Sequence, residues 1–200
     1  MENIALYGGA FDPIHNGHLH LADEFVRRLS LRELILMPTA QSPHKTNPFS
    51  AAAVHRLAMC RLAAEGHPNI SVSDMEIRRG GKSYTVDTLR TLKEMYPVAT
   101  IYLIMGADMF LTMEQWRLFE EILSLCILCP VVRDSAPREA LEQKARALEA
   151  HDAVVRFEDI LPMEVSSTDV RRRIQGGRPV SDLVPAPVAQ YMTEHHLYLP

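Results

Sequence analysis

Short apolar runs alternate with stretches of helical periodicity along the whole chain, and no other feature restricts its fold as much. Residues 4–7, 34–37, 100–105 and 126–132 read as strands, with 70–77 and 153–157 as further strand candidates. Between them apolar residues recur at helical spacing: Leu19, Ala22, Phe25, Val26 and Leu29; Val54, Leu57, Ala58 and Leu62; Val86, Leu89, Leu92 and Tyr96. Residues 118–125 read as helical, and so do Leu141, Ala145 and Leu148. Two short helices, near 168–175 and 188–195, close the chain. The polar, proline-containing stretch 39–50 reads as a long loop. Strand, helix, strand in succession requires crossovers. The pattern therefore predicts an α/β fold: a Rossmann-like, doubly wound, mostly parallel sheet with helices on both faces. A short helical region follows from about residue 166. The 200 residues suit a single domain, 1–200.

In such folds ligands sit at the carboxyl ends of the strands, where the strand order reverses. Two ends are marked by glycine: Gly8-Gly9 after the first strand, and Gly106-Ala107-Asp108 after the fourth. Charge narrows the ligand class. Lys and Arg total 21 against 25 Asp and Glu, a formal net charge of −4. A protein that coats nucleic acid or an anionic membrane needs a basic excess, so neither partner is expected. No run approaches a membrane span, and the start MENIALYGG has no leader-like apolar core. Three cysteines cannot pair completely, and the expected compartment is the cytoplasm. Cys126-x-x-Cys129 lies inside an apolar run, so two buried strand thiols are expected rather than a redox pair. A structural zinc site would need a second such pair.

The first glycine pair matches neither of two common phosphate devices. Gly81-Lys82-Ser83 imitates the end of an NTPase phosphate loop, but the first glycine of that loop would fall on Glu76. The segment after the first strand also lacks the spacing of a dinucleotide fingerprint. It reads Gly8-Gly9-Ala10-Phe11-Asp12-Pro13-Ile14-His15-Asn16-Gly17-His18. Glycine lets backbone approach a ligand closely. Asn16 is placed to cap the next helix, and Gly17 leaves its first turn uncrowded. His15 and His18 lie three apart, so at a helix start both face one side. Bound polyphosphate would favour their charged forms, while the helix dipole opposes it. Two other readings stay open from the residues alone. The imidazoles could satisfy loop carbonyls, or they could chelate a metal with Asp12.

The segment GGAFDPIHNGH resembles the HxGH signature of the adenylyl- and cytidylyltransferase superfamily. Members also carry an I-S-S-T-x-x-R motif near the C-terminus, matched here by Val165-Ser166-Ser167-Thr168-Asp169-Val170-Arg171 with Val for Ile. Read alone, Ser166, Ser167 and Thr168 are cap-type residues opening a helix, and Arg171 is one turn further on. Arg172 and Arg173 fall on other faces and read as solvated. Further segments resemble bacterial nicotinate-nucleotide adenylyltransferases: Pro43-His44-Lys45, Ser83-Tyr84-Thr85-Val86-Asp87-Thr88-Leu89, Gly106-Ala107-Asp108 and the single tryptophan, Trp116.

The resemblance implies adenylyl transfer from ATP to the 5′-phosphate of nicotinate mononucleotide, giving deamido-NAD and pyrophosphate. It implies catalytic roles for His18, His15, Arg171 and Lys45. ATP would meet Gly8, Gly9, Ala10, Phe11, His15, His18, Gly106, Asp108, Ser166, Ser167, Thr168 and Arg171. The mononucleotide would meet His44, Lys45, Tyr84, Thr85, Trp116 and Arg117, with Trp116 stacking on the ring unless it is ordinary core. Asp87 and Thr88 read as helix-start capping groups. Mg²⁺ is expected to travel with ATP, with no metal held by protein side chains and no tightly bound organic cofactor. ATP and nicotinate mononucleotide are the expected partners, and the sequence leaves room for a homo-oligomer without encoding one. Pantetheine-phosphate adenylyltransferases share the first motif but usually have Thr at the position of His15 and lack the Tyr-Thr-x-Asp-Thr segment. A nicotinamide-mononucleotide enzyme, a non-catalytic nucleotide sensor and a metal-dependent hydrolase are the other readings.

Overall fold

A computed structural model of the chain describes residues 2–40, 50–132 and 137–199. Five strands, β1 (Asn3–Gly9), β2 (Glu33–Pro38), β3 (Ile70–Val72), β4 (Thr100–Gly106) and β5 (Ile127–Val131), form one sheet in the order β3-β2-β1-β4-β5. Every pairing is parallel, and β1 is central, with Leu6 opposite Ile35 on one side and Leu103 on the other. The strand order turns about β1 and β4, so the sheet has its ligand-accepting crevice at their carboxyl ends. This is the Rossmann-like fold expected.

Alternate residues of each strand feed two separate cores. Ala5, Tyr7, Leu34, Leu36, Tyr102 and Ile104 point to one face. There they meet α1 (Asn16–Arg28), α2 (Ala53–Ala64), α8 (Ser167–Gln175) and α9 (Ala186–Glu194) through Phe25, Met59, Val170 and Val188. Ile4, Leu6, Ile35, Met37, Ile101 and Leu103 point to the other. They meet α4 (Thr85–Met95), α5 (Ala107–Leu111), α6 (Phe119–Leu125) and α7 (Arg138–Glu149) through Leu89, Phe110, Leu123 and Leu141. Burial on both faces is why these strands read as continuous apolar runs.

Two expected strands are corrected. Residues 70–77 were expected to be extended, but β3 ends at Val72 and α3 (Met75–Arg79) follows. Ser73 and Asp74 start that helix: the Ser73 hydroxyl accepts from Met75 N–H at 3.3 Å, and Asp74 pairs with Arg78 at 2.8 Å. A local side-chain turn at Ser73 and an i,i+4 ion pair thus override a short alternating pattern. Residues 153–157 form no strand. Only Val155 bridges to Leu128, flanked by one main-chain bond to Val154 and one from Arg156. A short 3₁₀ turn, Met113–Gln115, and α5 were not anticipated. Most of the loop expected at 39–50, residues 41–49, lies outside the described residues.

Cys60, Cys126 and Cys129 are free thiols and all buried. Burial raises all three, Cys129 to about 12, opposite to the lowered pKa a reactive redox cysteine needs. The strand-thiol reading of Cys129 therefore holds, with Cys126 immediately before β5. Among the described residues no helix is long and apolar enough to cross a membrane.

Helix α8 carries a capping box. The Ser166 hydroxyl accepts from Asp169 N–H at 3.2 Å, and the Asp169 carboxylate accepts from Ser166 N–H at 3.2 Å. The Ser166 hydroxyl also donates to the Asp169 carboxylate, and this bond first, with the one from the Ser166 N–H, holds that carboxyl below the usual carboxylate range. Two outcomes follow for stability. Phe25→Ala, at a fully buried ring, should cost about 3–5 kcal/mol, read as a lower urea midpoint at unchanged slope. Ser166→Ala should cost about 1 kcal/mol at neutral pH. Because the folded pKa of Asp169 is depressed, its contribution is present above about pH 4 and lost as pH falls through the lower folded value. The gap between wild type and Ser166→Ala should therefore narrow in acid, as measured by urea melts between pH 3 and 7.

Candidate active site

At the end of β1 the chain turns sharply. A Cβ at Gly8 would meet nothing within 4 Å, so this position opens on the crevice. Gly9 returns its carbonyl to Thr39 N–H at 3.0 Å, bonding the ends of β1 and β2 together. Phe11 has a left-handed backbone (φ 47°) and a buried ring. That ring stands edge-on to Tyr7 at 5.5 Å and to His18 at 5.1 Å, forming an aromatic wall for the histidine.

His15, not Asn16, is the N-cap of α1. The Asn16 amide instead donates to the Asp182 carbonyl, and its N–H to the Leu183 carbonyl. This corrects the capping role expected of Asn16, which anchors the C-terminal region to the start of α1. The His15 main-chain N–H donates to His18 Nδ1 at 3.2 Å, and the two imidazoles stack at 3.6 Å. With Nδ1 accepting, a neutral His18 carries its proton on Nε2. The cap geometry thereby selects a tautomer that can donate from the outer nitrogen. Gly17 is required here, because a Cβ would lie 2.8 Å from Val165 Cγ1.

That contact brings in the second motif. The Ser167 hydroxyl donates to the Pro13 carbonyl at 2.9 Å. Arg171 donates to the Asp12 carbonyl at 2.5 Å and to the Thr168 hydroxyl at 3.1 Å. Residues more than 150 positions apart thus share one junction, with the first turn of α8 beside the first turn of α1. Both helix starts present the positive end of a dipole, although at α1 the Asn16 and His18 N–H groups bond the Leu183 and His15 carbonyls, and at α8 the Asp169 N–H bonds the Ser166 hydroxyl. Ser166 differs from its neighbours: its side chain is engaged by Asp169 as the cap.

Beside β1, Gly106 caps α5 and Asp108 lies in that helix's first turn, exposed. A Cβ on Gly106 would meet Asp108 Oδ1 at 2.6 Å, so glycine lets the carboxylate fold over the strand end. Farther out, the Arg117 guanidinium lies 4.9 Å over the Tyr84 ring. Tyr84 caps α4 and Thr85 opens it. Trp116, adjoining Arg117, is half-buried and packs on the second core. The structure thus groups Tyr84, Thr85 and Arg117, and Arg90 holds α4 to α6 through Glu121 at 2.6 and 2.7 Å. His44 and Lys45 lie outside the described residues. Thr88 is not a cap: it is fully buried and donates to the buried Glu76 at 2.8 Å. Burial raises the Glu76 carboxyl, opposed by Ser83, Thr88 and Arg79.

Sequence reasoning missed Arg56 and Tyr198. Arg56 is only 5% exposed, and its guanidinium donates to the carbonyls of Ala10, Thr39, Ala40 and Ala51. Burial lowers its pKa, and the Asp12 carboxylate opposes that most strongly. Tyr198 donates its hydroxyl to Asp12 Oδ1 at 2.7 Å, and the Ala51 N–H reaches the same oxygen at 3.0 Å. Nothing in the periodicity marks either residue; an arginine on an otherwise apolar helix face is the only trace. Among the described residues no three His, Cys, Asp or Glu come together as a metal site. The His18 Nδ1 lone pair is already taken, which counts against chelation by the histidine pair.

The Cytidylyltransferase-like family model matches residues 6–173. A relative from Albidiferax ferrireducens, named "probable nicotinate-nucleotide adenylyltransferase", is 40% identical over 99% of this chain and 98% of its own. One of the same name from Oceanobacillus iheyensis is 38% identical, over 99% and 97%. The fold matches the Plasmodium falciparum nicotinic acid mononucleotide adenylyltransferase complexed with NaAD, at a TM-score of 0.80 and 20% identity, covering 99% of this chain and 98% of that one. With both motifs meeting at one strand end, the chain belongs to the nicotinate-nucleotide adenylyltransferase family of cytidylyltransferase-like nucleotidyltransferases.

Proposed function

We propose that this protein is an adenylyltransferase of NAD biosynthesis, joining ATP and nicotinate mononucleotide into deamido-NAD with release of pyrophosphate. The observation that carries this most is the junction of the two motifs, where Arg171, Ser167 and the paired imidazoles converge on the end of β1. The mononucleotide phosphate is already ionised at neutral pH, so its oxygen attacks the α-phosphorus directly and pyrophosphate leaves in line. No general base and no covalent enzyme intermediate are required. Catalysis then consists of positioning and of stabilising charge that develops on the phosphates.

In this reading the outer nitrogen of His18 donates to the α-phosphate, and His15 supports it from the stacked position. Gly8, Gly9, Ala10 and Phe11 line the nucleotide. Ser167, Thr168 and Arg171 take the β- and γ-phosphates and the departing pyrophosphate, while Ser166 acts through the α8 cap rather than by its own hydroxyl. Gly106 and Asp108 face the adenosine, with the carboxylate accepting from ribose hydroxyls. Tyr84, Thr85, Trp116 and Arg117 form the nicotinate side. The α4 start offers N–H groups to the carboxylate, and His44 and Lys45 meet the mononucleotide phosphate. The donor set at the phosphates is N–H groups and cations, which suits Mg²⁺ held by ATP oxygens and water rather than by a protein cage. Bound in that way, Mg²⁺ would neutralise phosphate charge. Residues 1–200 act as one nucleotidyltransferase unit, placed in the cytoplasm in keeping with three buried free thiols.

Purified protein with ATP and Mg²⁺ should release pyrophosphate only when nicotinate mononucleotide is added. Release supported instead by pantetheine phosphate or nicotinamide mononucleotide would replace the acceptor, and ATP binding without any release would make it a sensor. His18→Ala should lose about 10²–10³ in kcat while ATP affinity, read by calorimetry, changes little. Trp116→Ala should raise KM for nicotinate mononucleotide about 5- to 150-fold, as stacking of about 1–3 kcal/mol implies. KM for ATP should stay within about twofold.

A further inference from the structure

Arg56 sits beneath the two halves of the site without belonging to either. Its Nη1 donates to the Ala10 carbonyl at 2.6 Å, in the segment assigned to ATP. Its Nη2 donates to the carbonyls of Thr39 at 2.6 Å and Ala40 at 3.2 Å. The Ala40 N–H in turn donates to the Ser83 hydroxyl at 3.0 Å. Ser83 directly precedes Tyr84, the cap of α4 and part of the nicotinate side. A continuous set of hydrogen bonds therefore runs from Ala10 through Arg56 and Ala40 to Ser83. Both ends of it are main chain or side chain that adjoins a substrate subsite.

We propose that Arg56 is a positioning residue that couples the two subsites, so that filling one favours filling the other. The physical basis is its burial. A guanidinium that is 5% exposed has its charge solvated by carbonyl oxygens, with the Asp12 carboxylate as the opposing charge. Losing one of these acceptors in the interior leaves the cation under-solvated, which is costly. The acceptors therefore hold their places as a set. A nucleotide that orders Ala10 orders the Arg56 fork, and the fork fixes Ala40 and hence Ser83. A lysine would keep the charge, but as a point donor it cannot span carbonyls on two strands' ends. Glu76 and Arg79 lie at the far end: both meet Thr88 of α4, and Glu76 also bonds the Ser83 hydroxyl, so the α4 start is braced from that side as well.

The inference rests on the adenylyltransferase reading, and the test separates the two. Affinity for a non-hydrolysable ATP analogue is measured by calorimetry, with and without saturating nicotinate mononucleotide, and the reciprocal titration is run. In the wild type each ligand should tighten the other by the same factor, about fivefold or more. Arg56→Lys and Ser83→Ala should bring that factor to within about twofold of one, with each ligand alone bound within about threefold of wild type. Ser83→Ala decides the matter if Arg56→Lys does not fold. A merely structural arginine would lower melting temperature and both affinities while leaving the factor unchanged, and that result would overturn the proposal. So would a wild-type factor near one in a protein that turns over nicotinate mononucleotide. A wild type that neither binds nor uses the mononucleotide would overturn the acceptor reading itself, and this inference with it.

Discussion

Asp12 is the point through which the site is held to the rest of the fold. Its carbonyl takes Arg171 from α8, and one carboxylate oxygen takes both the Ala51 N–H and the Tyr198 hydroxyl. Three parts of the chain, separated by 39 to 186 positions, meet on this residue. It is 6% exposed, so these bonds form where water competes little and a missing partner is costly. Beside it, Arg56 is held by its own carbonyl acceptors, and the two opposite charges offset each other's burial. Without this junction, the first turn of α1 and the first turn of α8 would be two unrelated helix starts.

The chemistry follows from how the junction sets donors. A parallel sheet delivers β1 and β4 side by side, so the glycine ends of both open on the same crevice. Helix starts there supply N–H groups and dipole, which suit phosphate without any net positive charge on the protein. That reconciles a chain of charge −4 with polyanionic substrates: the positive character is local, and part of it belongs to the backbone. The His15 cap adds orientation. By donating its N–H to His18 Nδ1, the backbone decides which nitrogen of the imidazole faces outward.

Much of this was legible in the residues. The strand runs announce the sheet because burial on both faces demands apolar side chains, and the two signature segments are local strings of glycine, cap-type and donor residues. Where reading failed, a nearby partner had overridden a weak local pattern. Asn16 looks like a cap by type, but the backbone puts His15 there and commits the Asn16 amide to Asp182. Residues 70–77 alternate like a strand, yet after Val72 Ser73 and Asp74 turn the chain into a helix whose Glu76 is buried against Thr88. Residues 153–157 have strand composition but only a single bridge to Leu128.

The sequence by itself determined the fold class and the two motifs, because periodicity and short-range residue spacing are properties of consecutive positions. Only the tertiary structure decided that Gly17 must be glycine against Val165, that Arg117 covers Tyr84, and that Arg56 and Tyr198 matter to the site at all. These depend on groups tens to nearly two hundred positions apart being packed to within a few ångströms. A single arginine or tyrosine carries no periodic signal of where its partners lie, so its role is set by packing alone.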